Sequence, residues 1–458
     1  MYRIYIFIAL SGMFLFGSAG AKELQPNILL ITIDALRADH LGCYGYSRET
    51  SPNMNTLANQ SVLFENAFVP RGKTSPSFAS MMTGLNPYQT GLREIPQSLK
   101  QSHDTLAERL KEGGYHTAAV IANAVLKASP SGFNQGFDDY LDDTPTPELN
   151  RPTIFEKRAD LTTDQAIGWL QVNNDSPFFL WVHYMDPHGP YDPPEPYRSF
   201  FESTREQKIS DLKNPFFAQH NLIPSVEYVE EYIDLYDGEI RFTDEQMGRL
   251  LSALGPLKEN TFIVLTSDHG EGLGEHGYYF EHGDYAYDSV MRIPLLIHSP
   301  GQVESKRVKQ QVSINDLFPT LLEWASQPSP ENIDGISLQP WLKGEAEEYE
   351  RPLYMEFICG KHFTGKGVRT RKWKYLATYL SSKKAVTQKE LYFLENDPEE
   401  IHNVIQKHPD VAEVLENCLA EWNQQDLLFG DLFQEIETAK DSLDPEMERA
   451  LKALGYLK

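Results

Sequence analysis

Asn27-Ile-Leu-Leu-Ile-Thr-Ile-Asp34 is a nearly unbroken apolar run that stops at a carboxylate. A strand buried on both faces reads this way, because helices cover both sides of a parallel sheet and leave no polar alternation. Phe262–Thr266 has the same form and ends just before Asp268, and Phe178–Tyr184 leads into Asp186-Pro187-His188. Thr117–Ile121 and Pro294–His298 read as further strands. Helical patterns lie between them, over Thr105–Glu112, Thr162–Val172 and Glu227–Leu254. In the longest, Ile233, Tyr236, Ile240, Met247, Leu250 and Leu254 recur along one face. Strands alternating with helices predict an α/β fold built on a mostly parallel sheet. Ligands on such sheets bind beyond the carboxyl ends of the strands, which is where Asp34, Asp268 and His188 fall.

The chain has 458 residues and can hold more than one structural unit. Its N-terminus stands apart. Met1-Tyr-Arg3 is a short positive start, Ile4–Phe16 is mostly apolar, and Ser18-Ala19-Gly20-Ala21 offers a small-residue cleavage site. Residues 1–21 therefore read as a secretory signal, and the expected location is secreted or periplasmic. No second stretch has the length to cross a membrane. Cys43, Cys359 and Cys418 make no disulfide framework, and an odd count leaves at least one thiol unpaired. The acidic Gly344–Tyr349 segment marks the expected boundary between a catalytic domain, 22–345, and a C-terminal subdomain, 346–458. Two irregular stretches, Asp142–Pro152 and Ser203–Pro224, are candidate substrate-contacting loops. The oligomeric state leaves no signature in the sequence.

A formal charge of −25 argues against nucleic acid or an anionic membrane as partner. Binding an anionic ester would require positive charge concentrated locally. Arg37, Arg71, Lys73 and Arg93 lie in or beside the candidate site segments, with Arg93 expected to be a solvated surface residue.

Four segments carry the chemistry. The first is Asp34-Ala-Leu-Arg37-Ala-Asp39-His-Leu-Gly42-Cys-Tyr-Gly45, after the opening strand. The second is Arg71-Gly-Lys73-Thr74-Ser-Pro76-Ser-Phe78-Ala-Ser-Met-Met-Thr83-Gly84, and the third is Ser267-Asp268-His269-Gly270-Glu271-Gly-Leu-Gly-Glu275-His276-Gly277. The fourth combines Gly367-Val-Arg369-Thr-Arg-Lys-Trp373-Lys374-Tyr375 with Glu390-Leu-Tyr392-Phe-Leu-Glu-Asn-Asp397-Pro398. In this order they resemble the sulfatase family of the alkaline phosphatase superfamily. The resemblance implies an alkaline-phosphatase-like sandwich of helices around the sheet, with a smaller C-terminal α+β subdomain.

The second segment resembles the signature of type I sulfatases, in which Cys or Ser, any residue, Pro, any residue and Arg lead into a helix ending Thr-Gly. In that family the first residue is oxidised to formylglycine. Here it is Thr74, which that oxidation cannot convert, and Phe78 replaces the Arg. Ala35 replaces the second of two usual aspartates, and His269 stands where many members have Asn, as in the superfamily's phosphonate and phosphodiester hydrolases. The family's two lysines have no clear counterpart. Asn123 and, more weakly, Lys127 are candidates for the first position, and His282 for the second.

Asp34, Asp268 and His269, with the Thr74 oxygen, make an expected metal set. Its oxygen-rich character suits Ca²⁺, Mn²⁺ or Mg²⁺, and the single imidazole keeps Zn²⁺ open. Thr74 is the expected nucleophile; as a plainer alternative it could cap the helix that Pro76 opens. His188 and His282 are the expected proton-transfer groups, and Asn123, Arg71 and Lys73 the expected anion contacts. His183 reads as a core residue. A threonine sulfate lacks the escape route that the aldehyde hydrate provides, whereas a phosphothreonine can be cleaved by in-line water attack. The expected activity is therefore hydrolysis of phosphate mono- or diesters or phosphonates of a small molecule, lipid or glycan. The alternatives are a sulfuric ester hydrolase acting on sulfated glycans, a non-catalytic metal-dependent binder of anionic glycans, and a phosphoryl transferase.

Overall fold

The computed structural model describes residues 25–149, 155–174, 177–213, 216–217, 221–299, 305–359, 363–380 and 385–423. The expected secretory signal, 1–21, lies outside the described residues, as do parts of both candidate substrate loops.

The apolar runs form the centre of an eight-stranded sheet. Its order is Lys306–Ser313, Val62–Phe68, Arg292–His298, Thr261–Ser267, Asn27–Ile33, Phe178–Tyr184, His116–Ile121 and Asp139–Leu141. The Arg292–His298 strand runs antiparallel to both neighbours, and the other pairings are parallel. Asn27–Ile33, Phe178–Tyr184 and Thr261–Ser267 are buried at every position, which is why their sequences show no alternation.

Alternate residues feed two separate cores, as the two-residue period of a strand dictates. Ile28, Leu30, Phe179, Trp181 and Val264 pack with Phe78, Met81, Leu106, Leu110 and Leu321 from helices Thr74–Thr83, Leu106–Glu112 and Leu317–Trp324. Leu29, Ile31, Leu180, Val182 and Leu265 pack with Ala166, Leu170, Tyr236, Ile240 and Met247 from helices Ala159–Val172 and Val229–Ala253. Helices thus cover both faces. The Ala159–Val172 helix begins three residues before the sequence pattern because the Asp186 carboxylate accepts the Ala159 N–H at 2.8 Å. An anion at a helix N-terminus satisfies a donor that would otherwise be orphaned.

Beyond the acidic segment, Leu353–Cys359, Phe363–Arg369, Trp373–Leu380 and Ala385–Phe393 form a four-stranded antiparallel sheet. One face sends Met355, Phe357, Leu376 and Tyr392 into the main core. The other places Tyr375, Ala377 and Leu391 against Leu415, Leu419 and Trp422 of the Pro409–Asn423 helix. The C-terminal unit is therefore α+β and packs firmly on the larger one. Among the described residues no helix is long and apolar enough to cross a membrane.

Candidate active site

Parallel register brings distant residues to one edge of the sheet. Ile33 pairs with Ser267 on one side and Tyr184 on the other, and Ile121 pairs with His183. The residues that follow include Asp34, Asp268 and Asn123, and all three are buried. The Thr74–Thr83 helix points its first residue at the same place, with Thr74 Oγ1 3.3 Å from His269 Nε2. Lys73, not Thr74, occupies the cap position, so the Thr74 hydroxyl is not used as a helix cap.

The His269 Nδ1 donates to the Gly270 carbonyl at 2.8 Å. That bond fixes the tautomer and leaves Nε2 with its lone pair exposed to the cluster. This nitrogen lies 3.2 Å from Asp268 Oδ2 and 3.6 Å from Asp34 Oδ1. Neither oxygen accepts a hydrogen bond from any described residue. One ligand atom from each of Asp34, Asp268 and His269 falls within 4.8 Å of the others. Burial pushes Asp34 up, but His188, His183 and His269 outweigh it and hold its carboxyl below the usual range. Burial and the charge of Asp34 push Asp268 well above that range. His269 is lowered by burial, which keeps its imidazole neutral. Two buried carboxylates and a lone pair aimed at one point repel one another unless a cation joins them. The set fits one divalent ion bound by oxygen and a single imidazole.

A second layer surrounds this cluster. The His282 ring stacks on His269 with centroids 4.0 Å apart and meets His188 edge-on at 5.0 Å. His282 Nδ1 lies 3.3 Å from Glu271 Oε1. His188 Nδ1 donates to the Gly189 carbonyl at 2.8 Å. Burial and the neighbouring Glu281 push Glu271 well above the usual carboxyl range. Lys73 Nζ lies 2.7 Å from Glu94 Oε1.

The sequence-based roles of several residues change in this setting. Asn123 also holds Asp34: one N–H of its Nδ2 donates to Asp34 Oδ2 at 2.7 Å and its Oδ1 accepts from Val125 N. The Arg71 guanidinium is fully buried and donates to the carbonyls of Arg93 and Gly283 and to Glu94. It therefore braces the loop before Thr74. Arg93 is not a solvated surface residue: it is 2 % exposed and paired with the buried carboxylate of Glu356. Arg37 is held by Asp39 and Glu275. His183, read from sequence as a core residue, is buried but also places Nε2 3.4 Å from Asp34 Oδ2. A histidine at the penultimate position of a buried strand was the available signal. Glu271 and Glu94 carried none until their partners were located.

A family model for sulfatase matches residues 26–327. The chain belongs to the sulfatase family. A second model, for the C-terminal part of N-sulphoglucosamine sulphohydrolase, matches residues 274–425. Among curated relatives of this sulfatase-family chain, an N-acetylglucosamine-6-O-sulfatase of Bacteroides thetaiotaomicron is 26 % identical, with 88 % of each chain covered. An arylsulfatase of Clostridium perfringens is also 26 % identical, covering 83 % of this chain and 90 % of the relative. Among solved structures, a phosphonate monoester hydrolase of Agrobacterium radiobacter superposes with a TM-score of 0.71 at 23 % identity, covering 88 % of this chain and 96 % of its own. That likeness shows a shared fold. The family is one of ester hydrolases.

Proposed function

We propose that the protein hydrolyses a phosphate mono- or diester, or a phosphonate ester, through a covalent intermediate on Thr74. The observation that carries this reading is the Thr74 hydroxyl, 3.3 Å from His269 Nε2 at the edge of the acidic cluster. Asp34, Asp268, His269 and the Thr74 oxygen would hold a divalent cation, Ca²⁺, Mn²⁺ or Mg²⁺, with Zn²⁺ admitted by the imidazole. When bound, such an ion acidifies a hydroxyl and offsets charge on a transferring group.

The Thr74 oxygen releases its proton to solvent and forms the bond to phosphorus as the ester oxygen departs on the opposite side. His188 or His282 gives that leaving oxygen a proton; both are buried, His282 against His269 and His188 against His282. Water then attacks phosphorus and gives a proton to the histidine left unprotonated by the first step, the bond to Thr74 Oγ1 breaks, and that oxygen takes a proton from solvent. Glu271 holds His282 through Nδ1, and Asn123 and His183 fix the orientation of Asp34. The N-terminus of the Thr74–Thr83 helix and Lys73 favour the anion. Threonine supports the phosphoryl reading because its ester is cleared by direct attack of water at phosphorus, a poor route for a stable alkyl sulfate.

A second reading, hydrolysis of sulfated glycans, is favoured by the sulfatase names of the curated relatives. Working outside the cytoplasm, secreted or periplasmic, is part of the proposal and rests on residues 1–21 alone. The test is turnover of matched 4-nitrophenyl phosphate, phosphodiester and sulfate with added Mn²⁺ or Ca²⁺, and capture of phosphate on Thr74 after acid quench. Thr74→Ala should lower phosphoester turnover by about 10³-fold or more. Unchanged turnover in that variant would sink the covalent route, and Thr74-dependent sulfate turnover would favour the second reading.

A further inference from the structure

The C-terminal motif Gly367–Tyr375 has no part in the chemistry above, yet two of its residues, with Glu400 just beyond the Glu390–Pro398 motif, converge on one acidic residue of the catalytic unit. Asp288 Oδ2 accepts from Arg369 Nη2 at 2.8 Å, and Oδ1 from Lys374 Nζ at 2.8 Å. Lys374 is fully buried and also lies 2.7 Å from Glu400 Oε1. Glu400 Oε2 in turn accepts the Asp288 N–H at 2.6 Å. Glu400 takes a left-handed backbone, φ 59°, to do so, at a cost of about 1–2 kcal/mol. Arg369 Nη1 donates to the buried Gln311 side chain.

Burying four charges is a poor route to stability, because an apolar set of similar volume is often as stable or more so. The cluster does fix backbone, however. Directly after Asp288, the Ser289 and Val290 carbonyls accept the N–H groups of Glu271 at 3.2 Å and Gly270 at 2.8 Å. Contact is too close for a side chain: a Cβ on Gly270 would lie 2.1 Å from Ser289 O, and one on Gly72 2.5 Å from Val290 Cγ1. The 288–291 turn therefore rests against the metal segment and against the loop that precedes Thr74. Gly270 O holds His269 Nδ1, and Glu271 Oε1 faces His282 Nδ1.

We propose that Asp288, Arg369, Lys374 and Glu400 are positioning residues through which the C-terminal subdomain sets His269 and His282. The cluster clamps the turn, the turn fixes Gly270 and Glu271, and those two residues aim the imidazoles. The inference rests on the proposed roles of His269 and His282, while the clamp itself can be measured without them.

The test uses Asp288→Asn in the full chain, with three readouts: amide exchange in a peptide spanning Gly270 and Glu271, calorimetric Mn²⁺ affinity, and kcat separated from KM. Exchange should rise about tenfold or more, and Mn²⁺ binding should weaken about tenfold, the usual effect of disturbing groups that orient a metal ligand. kcat should fall while KM stays within about twofold. Unchanged exchange in a folded variant overturns the proposal, as does faster exchange with wild-type Mn²⁺ affinity and kcat. Should Asp288→Asn fail to fold, the pair Lys374→Met and Glu400→Gln removes one charge of each sign and keeps the Arg369–Asp288 contact. The same three changes are expected there, and their absence is equally fatal. A wild-type protein that binds no Mn²⁺ and cleaves no ester would refute the reading of the site, and amide exchange would still decide whether the clamp exists.

Discussion

Replacing Asn123 with Ala separates two roles that one residue could play. From sequence, Asn123 is an anion contact; in the structure its amide nitrogen lies 2.7 Å from Asp34 Oδ2 in a buried setting. His183 Nε2 lies farther from that oxygen, at 3.4 Å. A hydrogen bond to a charged group contributes about 1.5–3 kcal/mol, and Asp34 is fully buried. Asp34 must be ionised to bind a cation, so the loss falls mainly on the bound state. At about 1.4 kcal/mol per tenfold, cation affinity should drop roughly 10- to 100-fold. Calorimetric titration of Mn²⁺ into metal-stripped protein measures this directly. Turnover by Asn123→Ala should then recover most of its wild-type kcat once Mn²⁺ is saturating. The variant also loses the Val125 N–H acceptor at 2.9 Å, a cost of about 1 kcal/mol to stability that thermal unfolding would register. Wild-type Mn²⁺ affinity combined with a raised KM for the ester would refute this reasoning and restore the anion-contact role.

Two further perturbations test the surroundings. Arg93→Met leaves the Glu356 carboxylate buried without its guanidinium, which should cost about 3–5 kcal/mol in urea unfolding, and adding Glu356→Gln should recover most of that. Asp186 is pushed up to about 6 by burial, so its folded value exceeds its unfolded one. Its contribution is therefore full below about pH 4 and lost as pH rises through 6. Over that window wild type should lose up to about 3 kcal/mol that Asp186→Asn does not, and parallel pH profiles for the two proteins would contradict the assignment.

The fold was legible because burial erases polar alternation. Asn27–Ile33, Phe178–Tyr184 and Thr261–Ser267 are buried on both faces, and that leaves a mark in any single run. Helix periods were equally readable, although the start of Ala159–Val172 was not, since Asp186 supplies its N-terminal partner from 27 residues away. Asp34 and Asp268 were recognisable as strand-end carboxylates, and parallel register explains their meeting. Pairwise partners left no local trace. Asn123 reaches Asp34 across 89 positions, and Arg93 reaches Glu356 across 263. A cation in a sequence announces its charge but not the carboxylate that will neutralise it.

A protein of net charge −25 must still draw in an anion. The arginines that stood out as local positive charge are committed to the protein: Arg37 to Asp39 and Glu275, Arg71 to Glu94, and Arg93 to Glu356. Lys73 shares Glu94 with Arg71. Neither cation therefore stands uncommitted beside Thr74. The remaining attraction must come from groups with no formal charge in the sequence. One is the N-terminus of the Thr74–Thr83 helix, whose first backbone N–H groups lack helical acceptors. The other is the ion proposed between Asp34 and Asp268, which would offset both carboxylates without disturbing the paired arginines. On this account the arginines build the walls of the site, and the cation with the helix terminus makes it hospitable to an anion.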